Sequence, residues 1–276
     1  MRKRVTVLAL GLSLIWSSQQ LIAGTIYSQG FETDTNGWFD QNNGWTGDLQ
    51  RVASGTNGIP SSSGSFHATA SQTNTPGVGL SGPFSNFADS NSNTAWPGGI
   101  RVAVDIYLDT SWASGEGFDY STAMSTSSGG HQQDFIFHVT QDTSTGNLLV
   151  GGSNNTNFDP REDLETLNHF AVTSSGWYTF EHIFREESGD LFGDLNLLDS
   201  SGTLLFTETR TGGDPITTTG GARYSWFTNI DITGGIAIDN HTLQHVVPEP
   251  TSLAIFATGL MGLTLRRTRQ RKNTVD

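Results

Sequence analysis

Arg101-Val102-Ala103-Val104-Asp105-Ile106-Tyr107-Leu108-Asp109 alternates apolar and polar side chains along its length. Successive side chains of a strand point to opposite faces, so Val102, Val104, Ile106 and Leu108 share one side and Asp105, Tyr107 and Asp109 the other. The same period of two recurs in Asp134–Thr140, with Phe135, Phe137 and Val139 inward. It recurs again in Trp177–Phe184, where Tyr178, Phe180, His182 and Phe184 share a face. Further strands are expected at 64–70, 148–151, 193–198, 203–208, 225–230 and 235–243. Between them, 71–82, 121–130 and 211–221 are rich in Gly, Ser, Thr and Asn, which is turn and loop chemistry. One short helix is predicted, with Asp159 as N-cap, Pro160 at its first position, and Leu164 and Leu167 as its buried side. Many short strands with one apolar face predict an all-β fold, a single β-sandwich or jelly roll. No repeat of 20–50 residues recurs, which argues against propellers and solenoids.

The two ends read differently. Arg2, Lys3 and Arg4 precede an apolar run from Val5 to Trp16, and Ala23-Gly24 offers small residues for cleavage. This is the pattern of a secretory signal peptide over residues 1–23, with an N-terminal signal helix. At the other end, Val247-Pro248-Glu249-Pro250-Thr251-Ser252 leads into an apolar run from Leu253 to Leu265. Arg266, Arg267, Arg269, Arg271 and Lys272 follow. About 20 apolar residues span a bilayer comfortably, so this shorter C-terminal hydrophobic helix needs local thinning or flanking residues that reach the interfaces. Arg266, Arg267 and Arg269 form a membrane stop and hold the basic end on the cytoplasmic side. The two prolines keep the Pro-Glu-Pro stretch extended. Residues 24–247 remain as the folded body and 248–276 as the tail.

This tail, with its Pro248-Glu249-Pro250 kink, short hydrophobic segment and arginine-rich end, resembles the PEP-CTERM signal. The resemblance implies recognition and processing by a membrane-embedded exosortase. It further implies an exported precursor, tethered to the membrane through the C-terminal helix, then delivered to the cell surface or extracellular matrix. Proteins of that kind accompany exopolysaccharide and biofilm production, which makes extracellular polysaccharide an expected partner.

Charge narrows the partners further. The body holds six arginines, Arg51, Arg101, Arg161, Arg185, Arg210 and Arg223, against 25 acids, a formal −19. Such a surface repels nucleic-acid phosphates and anionic headgroups, so no nucleic acid is expected as a partner. The chain has no cysteine, which excludes disulfides, thiolate catalysis and iron–sulfur clusters.

A second resemblance lies at the ends of the body. Gln29-Gly30-Phe31-Glu32 with Asn36-Gly37-Trp38 resembles the opening strand of jelly-roll carbohydrate-binding and concanavalin-A-like domains. Gly235-Ile236-Ala237-Ile238-Asp239-Asn240 resembles their final strand. In such domains the first and last strands lie side by side, and a Glu and an Asp share a structural calcium. By position, Glu32 and Asp239 are the implied metal ligands, and Ca2+ is the one cofactor expected.

Carbohydrate binding needs aromatic faces for stacking and polar groups for hydroxyls. Asp105, Tyr107 and Asp109, outward on one strand, with Trp112 in the next loop, make the candidate glycan face. Catalysis has less to stand on. No Gly-x-Ser-x-Gly elbow occurs, and His131, His138, His169, His182 and His241 are scattered. The reading is therefore a non-catalytic surface or matrix protein that binds exopolysaccharide. The alternative is a secreted glycan-active hydrolase or lyase using an Asp/Glu pair, which demands two carboxylates about 5–10 Å apart across a cleft.

Overall fold

Apolar strand faces must be buried against something, and here two sheets bury them against each other. The computed structural model describes residues 21–43, 47–72, 82–90, 94–154 and 161–247. The signal helix, the C-terminal helix, Pro248, Glu249, Pro250 and the arginine stop lie outside the described residues. Residues Ile22–Val247 form one compact unit.

Fifteen strands, numbered along the chain, lie among the described residues. The first sheet runs, in spatial order, β13 (Leu204–Arg210), β12 (Asp190–Asp199), β11 (Gly176–Glu187), β6 (Ile100–Leu108), β15 (Ile236–Val247), β4 (Phe66–Gln72) and β3 (Gly47–Ala53). The opening strand β1 (Leu21–Gln29) pairs with the closing strand β15. The second sheet runs β10 (His169–Val172), β9 (Leu148–Asn154), β8 (His131–Gln141), β7 (Gly117–Thr126), β14 (Thr219–Thr228), β5 (Phe84–Ser85) and β2 (Trp38–Phe39). Pairing along both paths is antiparallel. The protein is an all-β, two-sheet sandwich.

The alternation of β6 does what it promises: Val102, Val104, Ile106 and Leu108 are fully buried. They sit with Phe180 and Phe184 of β11 and Leu195 and Leu197 of β12, facing Phe118, Tyr120, Phe135, Phe137 and Phe227 of the second sheet. Rings interlock across the gap. Phe137 meets Phe180 at 5.0 Å and 78°, and Phe135 meets Phe184 at 5.0 Å and 73°. Edge-to-face pairs of this kind add about 0.5–1.5 kcal/mol beyond the area they bury.

Two expectations are corrected. Residues 121–126, read as loop from their Ser and Thr content, are the second half of β7, in the middle of the second sheet. Both faces of β7 are buried, Tyr120, Thr122 and Met124 on one side and Ser121, Ala123 and Ser125 on the other. A strand covered on both faces has no apolar/polar alternation to read. Of the predicted helix, Asp159 and Pro160 lie outside the described residues, and the part that is described is a 3-10 turn, Arg161–Thr166. It buries Leu164 (2% exposed) but leaves Leu167 beyond its end, 56% exposed.

Candidate functional site

The outer face of the first sheet is organised around one register pair. Asp105 of β6 and Asp239 of β15 stand directly opposite each other. Beyond them the register shifts, so that Asn240 and His241 together oppose Val104. Asn240 takes a φ of 50°, and this bulge turns His241 into the core. Residues 60–65 then fold back across the outer face. Trp177 Nε1 donates to the Pro60 carbonyl (2.8 Å), Ser62 Oγ to Asp105 Oδ2 (2.7 Å), and the Ser63 N–H to Asp239 Oδ2 (3.1 Å). The N–H groups of Ser65 and Phe66 reach Glu32 Oε1 at 3.0 and 3.1 Å.

Glu32 is set in place by its neighbours. Phe31, at φ 57°, gives its N–H to Gln29 Oε1 (2.7 Å). Arg51 donates to the carbonyls of both Phe31 and Glu32, and its guanidinium lies 3.3 Å above the Phe66 ring. Gly64 is held at φ +61°, and a Cβ there would stand 2.2 Å from the Glu32 carboxylate. Only glycine meets both conditions.

The result is a cluster of like charge. Asp239 is fully buried, and its carboxyl is pushed up to about 6 by that burial. The Ser63 and Asn240 N–H groups pull it down, while Asp105 and Glu32 push it up. Among the described residues, no group of three or more His, Asp or Glu side chains is arranged to hold a metal ion.

The four residues of the candidate glycan face do not act together. The oxygens of Asp105 accept from Ser62 Oγ, Thr179 Oγ1 and Asn240 Nδ2 at 2.7, 2.6 and 2.8 Å. Tyr107 packs edge-on against Trp177 at 5.6 Å. Asp109 lies past the end of β6 and accepts from Ser111 and Ser175 in a turn. Trp112 turns inward onto Phe118 at 6.2 Å. Residues 60–63 lie across Asp105 and Trp177 on this face, and the Asp105–Asp109 pair spans no cleft.

The outer face of the second sheet carries what the sequence reading did not collect. Phe39 of β2, Phe84 of β5, Tyr224 of β14 and His131 of β8 form a row of rings. Their successive centroids are 5.9, 5.0 and 6.1 Å apart, and His131 stacks on Tyr224 at 14°. The three aromatic side chains are half-buried and His131 is exposed. Asp134 ties the end of the row, accepting from Tyr224 OH (3.1 Å) and pairing with His131 Nε2 (2.8 Å). Burial, then the Asp134 charge, pushes the Tyr224 phenol above its usual range and keeps it a donor. A signal existed: Tyr224 and Trp226 alternate with the core residue Phe227 and therefore face away from it. Phe39 and Phe84 gave none, because strands of two residues are too short to show a period.

Residues 246–270 match the PEP-CTERM protein-sorting motif. The motif implies a secreted precursor processed by an exosortase at the cell surface. No curated protein matches the chain. Among solved structures, the CBM2 module of the evolved Dit of Lactobacillus casei BL23 phage J-1 is similar at 13% identity and a TM-score of 0.45, over 82% of this chain and 97% of that one. An alginate lyase in complex with alginate trisaccharide is similar at 12% and 0.46, over 80% and 98%. Lectin I from Ulex europaeus is similar at 12% and 0.39, over 75% and 96%. The sandwich assignment rests on the strand pairing described above and not on these likenesses.

Among the described residues, no helix is long and apolar enough to cross a membrane.

Proposed function

We propose that this sorting-motif protein is a cell-surface or matrix component whose β-sandwich binds exopolysaccharide and holds the chain without cleaving it. The observation that carries the reading is the ring row Phe39–Phe84–Tyr224–His131 with Asp134 at its end. Aromatic faces shed water onto the apolar faces of sugar rings, while buried Asp134 holds Tyr224 and the exposed His131 in place within the row. The acidic body suits a neutral glycan, since a polyanion would be repelled.

Binding of the producing cell's own exopolysaccharide to the detergent-purified chain is measured by titration calorimetry. Tyr224→Ala should weaken it by about 10-fold or more, the scale of a central aromatic contact. Tyr107→Ala, on the outer face of the other sheet and packed edge-on against Trp177, should leave it unchanged. Equal affinity for Tyr224→Ala and the parent would sink the platform. Release of new reducing ends during the titration would sink the non-cleaving part of the reading.

The same reading includes a structural calcium held by Glu32 and Asp239. Millimolar calcium should raise the melting temperature at pH 7.5, and chelator should reverse it. The rise should shrink at pH 5, where protons compete for Asp239. Asp239→Asn, Glu32→Gln and Gly64→Ala should each abolish the shift, the last by driving the Glu32 carboxylate off Ser65 and Phe66. A calcium shift that survives all three variants would place any bound cation elsewhere.

A further inference from the structure

Three adjacent strands of the second sheet carry a hydrogen-bonded line of Asp119, His138 and Ser153 on their outer face. Asp119 of β7 and His138 of β8 are opposite each other in register, and Ser153 lies two residues beyond Gly151, the residue opposite His138 on β9. Asp119 Oδ1 is 2.8 Å from His138 Nδ1, and His138 Nε2 is 2.7 Å from Ser153 Oγ. The second oxygen of Asp119 accepts from Asn229 Nδ2 at 2.5 Å, and Asn229 holds its place with a φ of 52°.

The chemistry of this line runs one way. An ionised carboxylate only accepts, so Nδ1 of His138 carries the proton that it shares with Asp119. Nε2 then presents its lone pair, and the hydrogen on Ser153 Oγ points at it. A hydroxyl hydrogen-bonded to an oriented imidazole, itself held by a carboxylate, is an activated nucleophile.

Access is graded along the line. Asp119 and His138 are 1% and 2% exposed, while Ser153 is half-buried. Leu164 closes the position above Gly151, where a Cβ would meet it at 2.9 Å. The base and its carboxylate therefore lie in a dry part of the face, and the nucleophile at its margin.

We infer that Ser153 and His138 are the catalytic residues of an acyl-ester hydrolase site, with Asp119 and Asn229 as positioning residues. Ser153 Oγ attacks the ester carbonyl and its proton passes to His138 Nε2. The tetrahedral adduct collapses, the C–O bond to the alcohol breaks, and His138 returns the proton to the leaving oxygen. Water then attacks the acyl-serine with His138 again as base, releasing the carboxylic acid and restoring Ser153. The net reaction is ester plus water to alcohol plus acid, with no other reactant. This reaction leaves glycosidic bonds intact, so it is compatible with a body that holds a polysaccharide, and it does not depend on that reading.

The test uses the full chain in detergent with a fluorophosphonate probe and with p-nitrophenyl acetate. The probe should form one adduct, on the peptide containing Ser153, and ester turnover should fall about 10²–10⁴-fold in Ser153→Ala. Ser153 is half-exposed, so this variant keeps its melting temperature within a few degrees and serves as the folded control. Asp119→Asn should lower kcat by a similar factor with little change in KM, a split that a merely structural role does not produce. Should Asp119→Asn fail to fold, the Ser153→Ala comparison decides alone. No adduct on Ser153, or equal ester turnover in the parent and a folded Ser153→Ala, overturns the inference.

Discussion

Acidifying the protein from pH 7.5 to 5 should lower its stability by about 2–3 kcal/mol, through two histidines buried in the core. His182 lies against Phe184 and Phe137. Its Nε2 donates to the Phe135 carbonyl (3.0 Å), and its Nδ1 faces Thr122 Oγ1 (3.2 Å). His241, turned inward by the β15 bulge, sits among the rings of Tyr27, Trp38 and Phe87; its Nε2 faces Ser225 Oγ (3.3 Å), and among the described residues its Nδ1 has no hydrogen-bond partner. Burial lowers both to about 3. A base whose folded value is depressed contributes stability above its unfolded value, near 6.5. It loses that contribution as pH falls toward the folded value. Each histidine therefore costs about 2 kcal/mol at pH 5.

Asp239 works in the opposite direction. Its folded value is raised to about 6, so the folded state takes up its proton first and gains as pH falls from about 7. That gain is about 1.4 kcal/mol at pH 5, which leaves a net loss. Asp34 and Asp199 stay ionised in this window. Asp34 is held below the usual range by the Asn36 N–H, and Asp199 by the Ser201 hydroxyl. Thermal melts in chelator across pH 7.5–4.5 give the result directly. A loss of this size corresponds to roughly 5–10 °C for a domain this large. His241→Phe should remove about half of the histidine contribution. A melting temperature flat or rising between pH 6.5 and 4.5 would show that the two imidazoles are hydrated in the folded state.

Phe180→Ala should be the most damaging single truncation, costing about 3–5 kcal/mol. Phe180 is fully buried at the centre of β11 and stands between Val104 of β6 and Leu197 of β12. Its ring bridges the sheets, meeting Phe137 at 5.0 Å and Phe118 at 6.1 Å. Removing it loses the transfer energy and two ring contacts, and leaves a void that strands on both sides are too well packed to fill. Phe180→Leu keeps most of the volume and should cost about 1–1.5 kcal/mol. Urea unfolding resolves the difference, with unchanged slope showing that stability alone has moved. Equal midpoints for Phe180→Ala and the parent would mean that the two sheets are not held together at this point.

Local pattern already determines a good deal of this protein. The period of two in Arg101–Asp109 and Trp177–Phe184 decides which side chains enter the core, because alternation is a property of a strand whatever it pairs with. Charge decides which partners are repelled, and the Pro248-Glu249-Pro250 tail decides the address; both are carried by composition and order. What composition misreads is β7, whose Ser and Thr residues mimic a loop because both of its faces are covered. Register and chain return belong to the tertiary structure alone. Asp239 meets Asp105 through strand pairing, and Glu32 joins them only because residues 60–65 fold back over the sheet. Phe39, Phe84, Tyr224 and His131 come from four strands, and Asp119, His138 and Ser153 from three. Outward-facing polar and aromatic residues carry no mark in sequence of which strand will lie beside them. That neighbour is set by the packing of the inward faces, and so the sites follow from the core.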